Sequence, residues 1–451
     1  MKSHESRIYV LAEAPVLRAI FTMAMPVMFG MLIQILYNMV DTFFIGKLND
    51  VNQLAASNLG FPFFMITMAI GGIIGIGSSS VISRYIGMKK LNEAGDIVGL
   101  SLYLLVATGV VVTVICLAFM DPILSLLGAQ GNVVGPTRGY LTPLVIGSSI
   151  IMANYALGIM IRSEGAPMNA MVGMLIGSVT NIILNPILIF AFKLGIAGSA
   201  WATVIANTAG LCWYLWCYAR KSMLKIAPGR HVLKIAYLKG ILSIGIPSGL
   251  NQGLMALSGI LTNNLAAAYG ATILASLGIA SKVNSMIILL LIGLSAGCQP
   301  LFGYNYGAKN KKRLISILKT AMSVAVIMGL AMLALFTLAG KHLIAIFSPI
   351  PEVIEQGRFI LTAVSCTAPI IGIFMITMNC LQALGKAVPS LILSMGRQGI
   401  FYIPILFLLS ATFGFHGLIF TQAIVDVLMV ITATVMLRHV IKTDPLLRSL
   451  T

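Results

Sequence analysis

The sequence predicts an all-α integral membrane protein with twelve transmembrane helices in two pseudo-symmetric six-helix lobes. Three observations predict this class: an apolar composition, twelve long apolar runs and an internal repeat. Of the 451 residues, 59% are hydrophobic and 9% are charged, and the mean hydropathy is +0.99. Because soluble domains carry roughly a quarter charged residues, this composition indicates a chain built for a lipid environment.

Short polar loops separate twelve apolar runs, and we number the runs as spans 1 to 12. Their centres lie near residues 30, 65, 108, 149, 180, 206, 255, 287, 328, 370, 400 and 428. A bilayer core about 30 Å thick needs about 20 apolar residues per helix, so each run is expected to cross once. Span 1 is expected at residues 16–46 and span 12 at residues 415–439. Uninterrupted runs of this length exclude a transmembrane β-barrel, whose strands alternate in hydropathy.

The positive charges predict the orientation of the chain. When loops are assigned to alternate sides, 22 of the 29 Lys and Arg residues fall on one side, five on the other and two inside spans. Loops rich in Lys and Arg stay in the cytoplasm, so we expect both termini there, in a multi-pass protein of the plasma (inner) membrane. No cleavable signal peptide is evident, because the charged residues Glu5, Arg7 and Glu13 interrupt the N-terminal segment. The net charge of +17 reflects this orientation rather than binding to nucleic acid.

The two halves of the sequence come into register when the chain is shifted by roughly half its length. The matches run through the whole half: Gly77 with Gly297, Gly87 with Gly307, Leu141 with Leu361, Gly165 with Gly385 and, within two residues, Pro186 with Pro404 and Gly198 with Gly417. Six spans in each half make the repeats parallel, and two such lobes around a cleft are typical of transporters that alternate access. We expect an N-lobe at residues 1–218, a basic cytoplasmic linker at residues 219–237 and a C-lobe at residues 238–451.

Span 1 carries the first candidate site. Ionisable residues at bilayer depth cost about 2.5 to 3.5 kcal/mol on insertion scales, and of the twelve acidic residues only Asp41 and Asp426 lie within apolar spans. One helical face of span 1 carries four polar residues at spacings of three and four: Gln34, Tyr37, Asn38 and Asp41. Because burial favours the neutral form of a carboxylate, Asp41 is a candidate to exchange a proton, or to bind Na⁺ when ionised. The alternative is an Asp near the end of a helix, since Gly46 follows five residues later.

Span 5 carries a second polar face. Asn181 and Asn185 are four residues apart, just before Pro186, whose missing N–H frees a backbone carbonyl about one turn earlier. Amide and carbonyl oxygens suit a hard cation, whereas the alternative role is hydrogen bonding between helices. Asn154 in span 4 and Thr203 in span 6 are further candidates for the same site.

The remaining intramembrane polar residues predict an ion pair and a substrate cavity. Arg397 in span 11 and Asp426 in span 12 lie on adjacent antiparallel helices and are expected to form an ion pair. Lys282 in span 8 has no acidic residue in its own span, so it either faces the cavity or extends its amine to the membrane surface. Gln252 and Asn263 in span 7 are further cavity candidates, as are Gln34, Tyr37 and Asn38 in span 1.

No motif predicts an enzyme, a metal site or a bound cofactor. The six cysteines form no CxxC pair, so neither a disulfide framework nor a zinc site is predicted. No HExxH, GxSxG or phosphate-binding glycine loop opens a helix in the required context. Without a nucleotide-binding motif, any transport would draw its energy from an ion gradient.

Four segments carry a family resemblance that covers nearly the whole chain. They are LYNMVDTFFIG at residues 36–46, RSEG at 162–165, PLFGYNYGAK at 300–309 and QALG at 382–385. Together with twelve spans in two parallel repeats, they resemble the multidrug and toxic compound extrusion (MATE) transporters, in particular the MepA-type and DinF-type branches.

The resemblance implies two V-shaped six-helix lobes that export amphipathic, often cationic compounds in exchange for H⁺ or Na⁺. In relatives with a cation site in the N-lobe, the site residues match Asp41, Asn154, Asn181 and Thr203, but the family's acidic residue in span 5 falls on Asn185. With a single carboxylate left in that site, H⁺ is favoured over Na⁺. Spans 7 and 10 also lack the carboxylates of relatives with a C-lobe cation site.

Two functions follow as expectations. The first is a multidrug efflux antiporter, whose partners are small-molecule drugs or toxins and the lipid bilayer. The alternative is a flippase of related architecture for lipid-linked precursors or polysaccharides, whose anionic substrates need a basic cavity such as Lys282 and Arg397 could supply. All-apolar helices with short loops favour a monomer.

Overall fold

The structure is a computed structural model that describes residues 2–48, 50–226 and 234–448. These residues are helical apart from short connections and contain no strand. The helices are α1 (Lys2–Ala12), α2 (Val16–Gly46), α3 (Val51–Gly87), α4 (Leu91–Ala118), α5 (Met120–Leu126), α6 (Val134–Ile146), α7 (Ser148–Ser163), α8 (Pro167–Pro186), α9 (Ile196–Arg220), α10 (Ile235–Ala267), α11 (Ala271–Gly307), α12 (Lys311–Ala345), α13 (Pro351–Ser365), α14 (Ala368–Ala383), α15 (Ala387–Met395), α16 (Tyr402–Thr443) and α17 (Pro445–Arg448). A 3₁₀ turn precedes α6, and π-helical segments follow α8 and α15: Gly131–Val133, Ile187–Ala191 and Gly396–Ile400.

Length and composition make this a multi-pass membrane protein. Within the described ranges, seven helical segments are long and apolar enough to cross a bilayer, and two bent pairs, α6 with α7 and α13 with α14, raise the number to nine. The segment Ala387–Thr443 has 57 residues and divides into two spans at Gly414, whose backbone is not helical. The two remaining spans are α9 and α10, in which polar residues lower the hydropathy but 25 and 33 residues still suffice to cross. The described residues therefore contain the twelve predicted spans.

The backbone repeats the pattern found in the sequence. Gly195 has φ 55° and ψ −137°, and Gly414 has φ 58° and ψ −134°. Both begin the last span of their half in a conformation that only glycine adopts readily. The broken spans also correspond: α6 and α7 meet at 55° around Gly147, and α13 and α14 meet at 44° next to Thr367. Two halves with matching breaks and turns are two copies of one helical unit.

Packing divides the chain into two compact units. Unit 1 comprises Met1–Ile8 and Phe29–Gly245, and unit 2 comprises Tyr9–Met28 and Ile246–Thr451. This division departs from the boundaries expected at 219–237 in two places. The N-terminal part of α2, up to Met28, packs within unit 2, and the first third of α10, up to Gly245, packs within unit 1. Residues 227–233 of the expected linker lie outside the described part of the chain.

Two glycines explain why these N-terminal helix segments pack against the other unit's helices. A Cβ added to Gly77 of α3 would lie 2.1 Å from the carbonyl oxygen of Ile241 in α10. A Cβ added to Gly297 of α11 would lie 2.5 Å from the Cα of Ala24 in α2. No side chain fits at either crossing, so the backbones approach closely only because glycine is present.

Each unit has its own apolar core. In unit 1 the core lies between α3, α6, α7 and α9, where one cluster contains Phe63, Leu141, Ile151 and Val204. In unit 2, α14 lies so close to α12 that a Cβ on Gly372 would lie 2.7 Å from the Cβ of Ala325. These cores hold the polar faces of the spans in fixed positions.

Glu164, just after α7, is a completely buried carboxylate outside the spans of unit 1. Its Oε2 accepts hydrogen bonds from the Ser222 hydroxyl at 2.6 Å and the Met223 backbone N–H at 3.3 Å. The Arg7 guanidinium lies 3.9 Å away, and Oε1 has no hydrogen-bond partner among the described residues. Burial, which these contacts offset only in part, raises the pKa of Glu164 to about 7.

Candidate functional site

Asp41 lies at the centre of a hydrogen-bonded polar cluster in unit 1. Its Oδ1 accepts a hydrogen bond from the Asn185 amide Nδ2 at 2.8 Å and another from the Ser199 hydroxyl at 2.8 Å. The three residues belong to α2, α8 and α9, so these two bonds join three spans. Asn185 and Ser199 are completely buried, and Asp41 is half-buried.

The cluster continues along α8 towards α9. Asn185 Nδ2 also donates to Asn181 Oδ1 at 2.7 Å, and Asn181 Nδ2 donates to the Thr203 hydroxyl oxygen at 3.3 Å. The α-helical part of α8 ends at Pro186, and the π-helical segment Ile187–Ala191 follows at once; such segments are frequent at functional sites. Within the described residues, both groups that hydrogen-bond to Asp41 donate to it, and an ionised carboxylate can only accept hydrogen bonds. The arrangement therefore fits the charged form of Asp41.

Asn154 belongs to a second branch of the cluster. Its Nδ2 donates to Asn207 Oδ1 at 2.9 Å, and Asn207 Nδ2 donates to the Thr203 backbone carbonyl at 2.8 Å. The structure thus brings Asp41, Asn181, Asn185 and Thr203 together, and Asn154 reaches them through Asn207. The Oδ1 atoms of Asn154 and Asn185 are both buried without a hydrogen-bond partner within the described ranges.

Sequence analysis missed two members of the cluster, Ser199 and Asn207. Each lies four residues from Thr203, so the three share one face of α9. Polar residues at that spacing in a span are the signal that could have found them. On α2, Gln34 and Tyr37 are half-buried, and the side chain of Asn38 lies outside the described residues.

The cluster carries one negative charge. The side chains that bond to Asp41, directly or through one more side chain, are amides and hydroxyls: Asn185, Ser199 and Asn181. In the part of the chain that the structure describes, no group of three or more His, Cys, Asp or Glu residues could hold a metal ion. One proton or one monovalent cation is therefore enough to neutralise the cluster.

A second polar cluster lies in unit 2. The Arg397 Nε donates to Asp426 Oδ1 at 2.9 Å, the Gln422 Nε2 donates to the same oxygen at 2.8 Å, and the Thr367 hydroxyl donates to Oδ2 at 3.1 Å. Arg397 is 9% exposed and Asp426 is 3% exposed. The ion pair expected from the sequence is present, and its two charges cancel inside unit 2.

The three cavity candidates of unit 2 stand apart from this pair. Lys282 and Asn263 are exposed, and Gln252 is half-buried. Among the described residues, no hydrogen bond or ion pair joins any of them to Arg397 or Asp426. The structure therefore does not gather them into one site.

Two copies of one helical unit, with a polar cluster around a carboxylate within one span, have the architecture of a secondary transporter. A family model described as MatE matches residues 26–187 and again residues 247–408. The multidrug export protein MepA of Staphylococcus aureus (strain MSSA476) is 33% identical over 436 residues, which are 95% of this chain and 95% of that protein. The chain therefore belongs to the MATE family.

Solved structures agree with this assignment. A crystal structure of MATE in the bent conformation is matched with a TM-score of 0.89 and 26% identity, over 97% of this chain and 97% of that one. An outward-facing conformation of a multidrug resistance MATE family transporter of the MOP superfamily is matched with a TM-score of 0.86 and 27% identity, over 96% of this chain and 98% of that one. The fold is thus the MATE fold over its full length.

Proposed function

We propose that this protein is a secondary active multidrug exporter that moves amphipathic, often cationic compounds out of the cell in exchange for H⁺. The observation that carries the proposal is Asp41, the carboxylate of the buried cluster in unit 1, held at 2.8 Å by both Asn185 and Ser199. The names of its relatives, a multidrug export protein and a multidrug resistance transporter, support the substrate class. The distribution of Lys and Arg supports an orientation with both termini in the cytoplasm, and export from the cell requires a place in the plasma membrane.

The donors around Asp41 support H⁺ rather than Na⁺ as the coupling ion. The group of Asn185 that faces Asp41 is its amide nitrogen, which cannot bind a cation. Hard cations need several oxygen ligands, and the span 5 position where relatives supply a second carboxylate holds Asn185 here. A single carboxylate that is ionised in one state and protonated in the other needs no further ligand.

Protonation of Asp41 would change the contacts among three spans. A protonated carboxyl needs an acceptor for its O–H, and the buried Oδ1 of Asn185 has no other partner within the described ranges. Rotation of the Asn185 amide presents that oxygen to Asp41 and withdraws Nδ2 from both Asp41 and Asn181. The bonds from α2 to α8 and within α8 would therefore rearrange together. We assign to this rearrangement the step in which the bound compound is released, during alternating access.

The pairing of Arg397 weighs against the flippase alternative. That function requires a basic cavity for an anionic substrate, and the sequence offered two intramembrane cations for it. Arg397 lies 2.9 Å from Asp426, so its charge is already neutralised within unit 2. Lys282 alone is a weak basis for binding a pyrophosphate-linked lipid.

Ethidium efflux from cells that express the protein tests the proposal, with the H⁺ and Na⁺ gradients collapsed separately. We expect wild-type efflux to stop when the H⁺ gradient is lost and to continue without a Na⁺ gradient. The Asp41→Asn variant should lose efflux at normal expression, because its amide cannot carry the proton. Asp121→Asn is the matched control, since Asp121 is an exposed carboxylate of the same unit, with its side chain 76% exposed.

Two results would contradict the proposal. Retained efflux in Asp41→Asn at equal expression would remove Asp41 from the coupling step. If no dye moves under any gradient, export of cationic compounds is excluded and the flippase becomes the leading function.

A further inference from the structure

The polar clusters of units 1 and 2 occupy matching places in the repeat. Gly195 and Gly414 have the same strained backbone conformation. When the last span of each half is numbered from its glycine, the two spans can be compared residue by residue. In this alignment, Asn207 in unit 1 corresponds to Asp426 in unit 2. Asn207 contacts its own broken span through Asn154, and Asp426 contacts its own broken span through Thr367.

The same correspondence holds for the other spans of the clusters. The two matches to the family model begin at residues 26 and 247, and these starting points align the preceding spans. Counted from them, Asp41 corresponds to Thr262 and Asn181 corresponds to Tyr402. The Thr262 and Tyr402 hydroxyls lie 2.8 Å apart, so these positions also meet within unit 2. Unit 1 thus holds its carboxylate on span 1, whereas unit 2 holds one on span 12.

Arg397 is the feature of the unit 2 cluster that unit 1 lacks. It lies in the π-helical segment Gly396–Ile400, and its guanidinium carbon is 5.5 Å from the centre of the Phe374 ring. The carboxylate of Asp426 receives donors from three segments of unit 2: this π-helical segment, α16 and the break before α14. A positive charge therefore lies where those segments meet, bonded to the carboxylate and stacked on an aromatic face.

We propose that Arg397 is a tethered cation: its guanidinium permanently fills a carboxylate pocket of unit 2 that would otherwise bind a free monovalent cation. A carboxylate as buried as Asp426 cannot stay charged without a partner. If the guanidinium is removed, the Thr367 hydroxyl beside Asp426 and the Phe374 ring beside the vacated position remain, and both can contact a small cation. The Gln422 amide, whose Nε2 now faces Asp426, would add its oxygen after rotation. Because Arg397 is part of the chain, unit 2 needs no ion from solution. The inference concerns unit 2 alone and does not require coupling at Asp41.

Thermal unfolding of the purified protein tests this inference without measuring transport. All variants carry Asp41→Asn, so that the carboxylate of unit 1 does not respond to cations. Unfolding temperatures are compared in three chloride salts: Na⁺, guanidinium at millimolar concentration, and N-methylglucamine, a cation much larger than the guanidinium group that it would have to replace. The variants are Arg397→Gln, Arg397→Lys and the double variant Arg397→Gln with Asp426→Asn. Arg358→Gln is the control, because Arg358 is an exposed arginine of the same unit.

The tethered cation predicts a distinct pattern of responses. Arg397→Gln should unfold several degrees lower in N-methylglucamine and regain at least half of that loss in Na⁺ or guanidinium. Three proteins keep a cation beside Asp426 and should show no preference among the salts: the Asp41→Asn protein itself, Arg358→Gln and Arg397→Lys. The double variant should show none either, because it has no carboxylate to neutralise.

Three results would overturn the proposal. In the first, Arg397→Gln responds to small cations no more than Arg358→Gln does. In the second, the double variant responds as strongly as the single variant, so that Asp426 is not the ligand. In the third, Arg397→Gln does not fold and removal of the Asp426 charge in the double variant fails to restore folding.

Discussion

Ser199→Ala removes one of the two hydrogen bonds that Asp41 Oδ1 accepts. The bond is 2.8 Å long, its donor is completely buried, and its acceptor is a carboxylate. Hydrogen bonds to charged groups contribute about 1.5 to 3 kcal/mol, and about 1.4 kcal/mol corresponds to one pH unit of titration. Loss of the bond disfavours only the ionised form, so protonation becomes easier. We expect the pH of half-maximal transport to rise by about one to two units.

Ethidium efflux from liposomes that contain the purified protein measures this shift, with an imposed H⁺ gradient at a series of pH values. Ser199→Thr keeps the hydroxyl and should retain the wild-type midpoint. Thr208→Val is the matched control, because the partner of the Thr208 hydroxyl among the described residues is the Val204 carbonyl of the same helix, at 2.8 Å. If the midpoint of Ser199→Ala coincides with that of Thr208→Val, the hydrogen bond does not set the proton affinity of the site and the reasoning is refuted.

Two further predictions concern carboxylates. Because the pKa of Glu164 is raised from 4.5 to about 7, the folded protein binds more protons than the unfolded chain between these values, and stability falls as pH rises through that window. Glu164→Gln should therefore flatten the pH dependence of the unfolding temperature between pH 4.5 and about 7; an unchanged slope would contradict the assignment. Asn185→Asp places a second carboxylate where the Asn185 Nδ2 now lies 2.8 Å from Asp41, and two carboxylates so close share a proton. Transport by Asn185→Asp should then persist to higher pH and become sensitive to Na⁺. Efflux rates measured in Na⁺ and in K⁺ at the same pH test this prediction. Equal rates in the two salts, together with the wild-type pH profile, would exclude a shared proton or a Na⁺ site at these two positions.

Much of the fold is predictable because its main signals are local. A span is recognised from enough consecutive apolar residues. The repeat is recognised from glycines and prolines at corresponding positions, such as Gly165 and Gly385. Among the site residues, Asp41 stands out because a carboxylate in an apolar span is costly. Arg397 and Asp426 could be paired in advance because two opposite charges on adjacent helices have few other partners.

The sequence by itself determined the twelve spans, the two repeats and the polar faces of spans 1 and 5, because all of these can be found along the chain without knowing how the helices pack. The tertiary structure alone decided which faces meet. Ser199 bonds to Asp41 from 158 positions away, and Asn154 bonds to Asn207 rather than to Asp41. It also decided that the N-terminal parts of α2 and α10 pack within units 2 and 1, respectively. Such contacts depend on how each helix is rotated and how closely its glycines let it approach a neighbour, which periodicity along one helix does not specify.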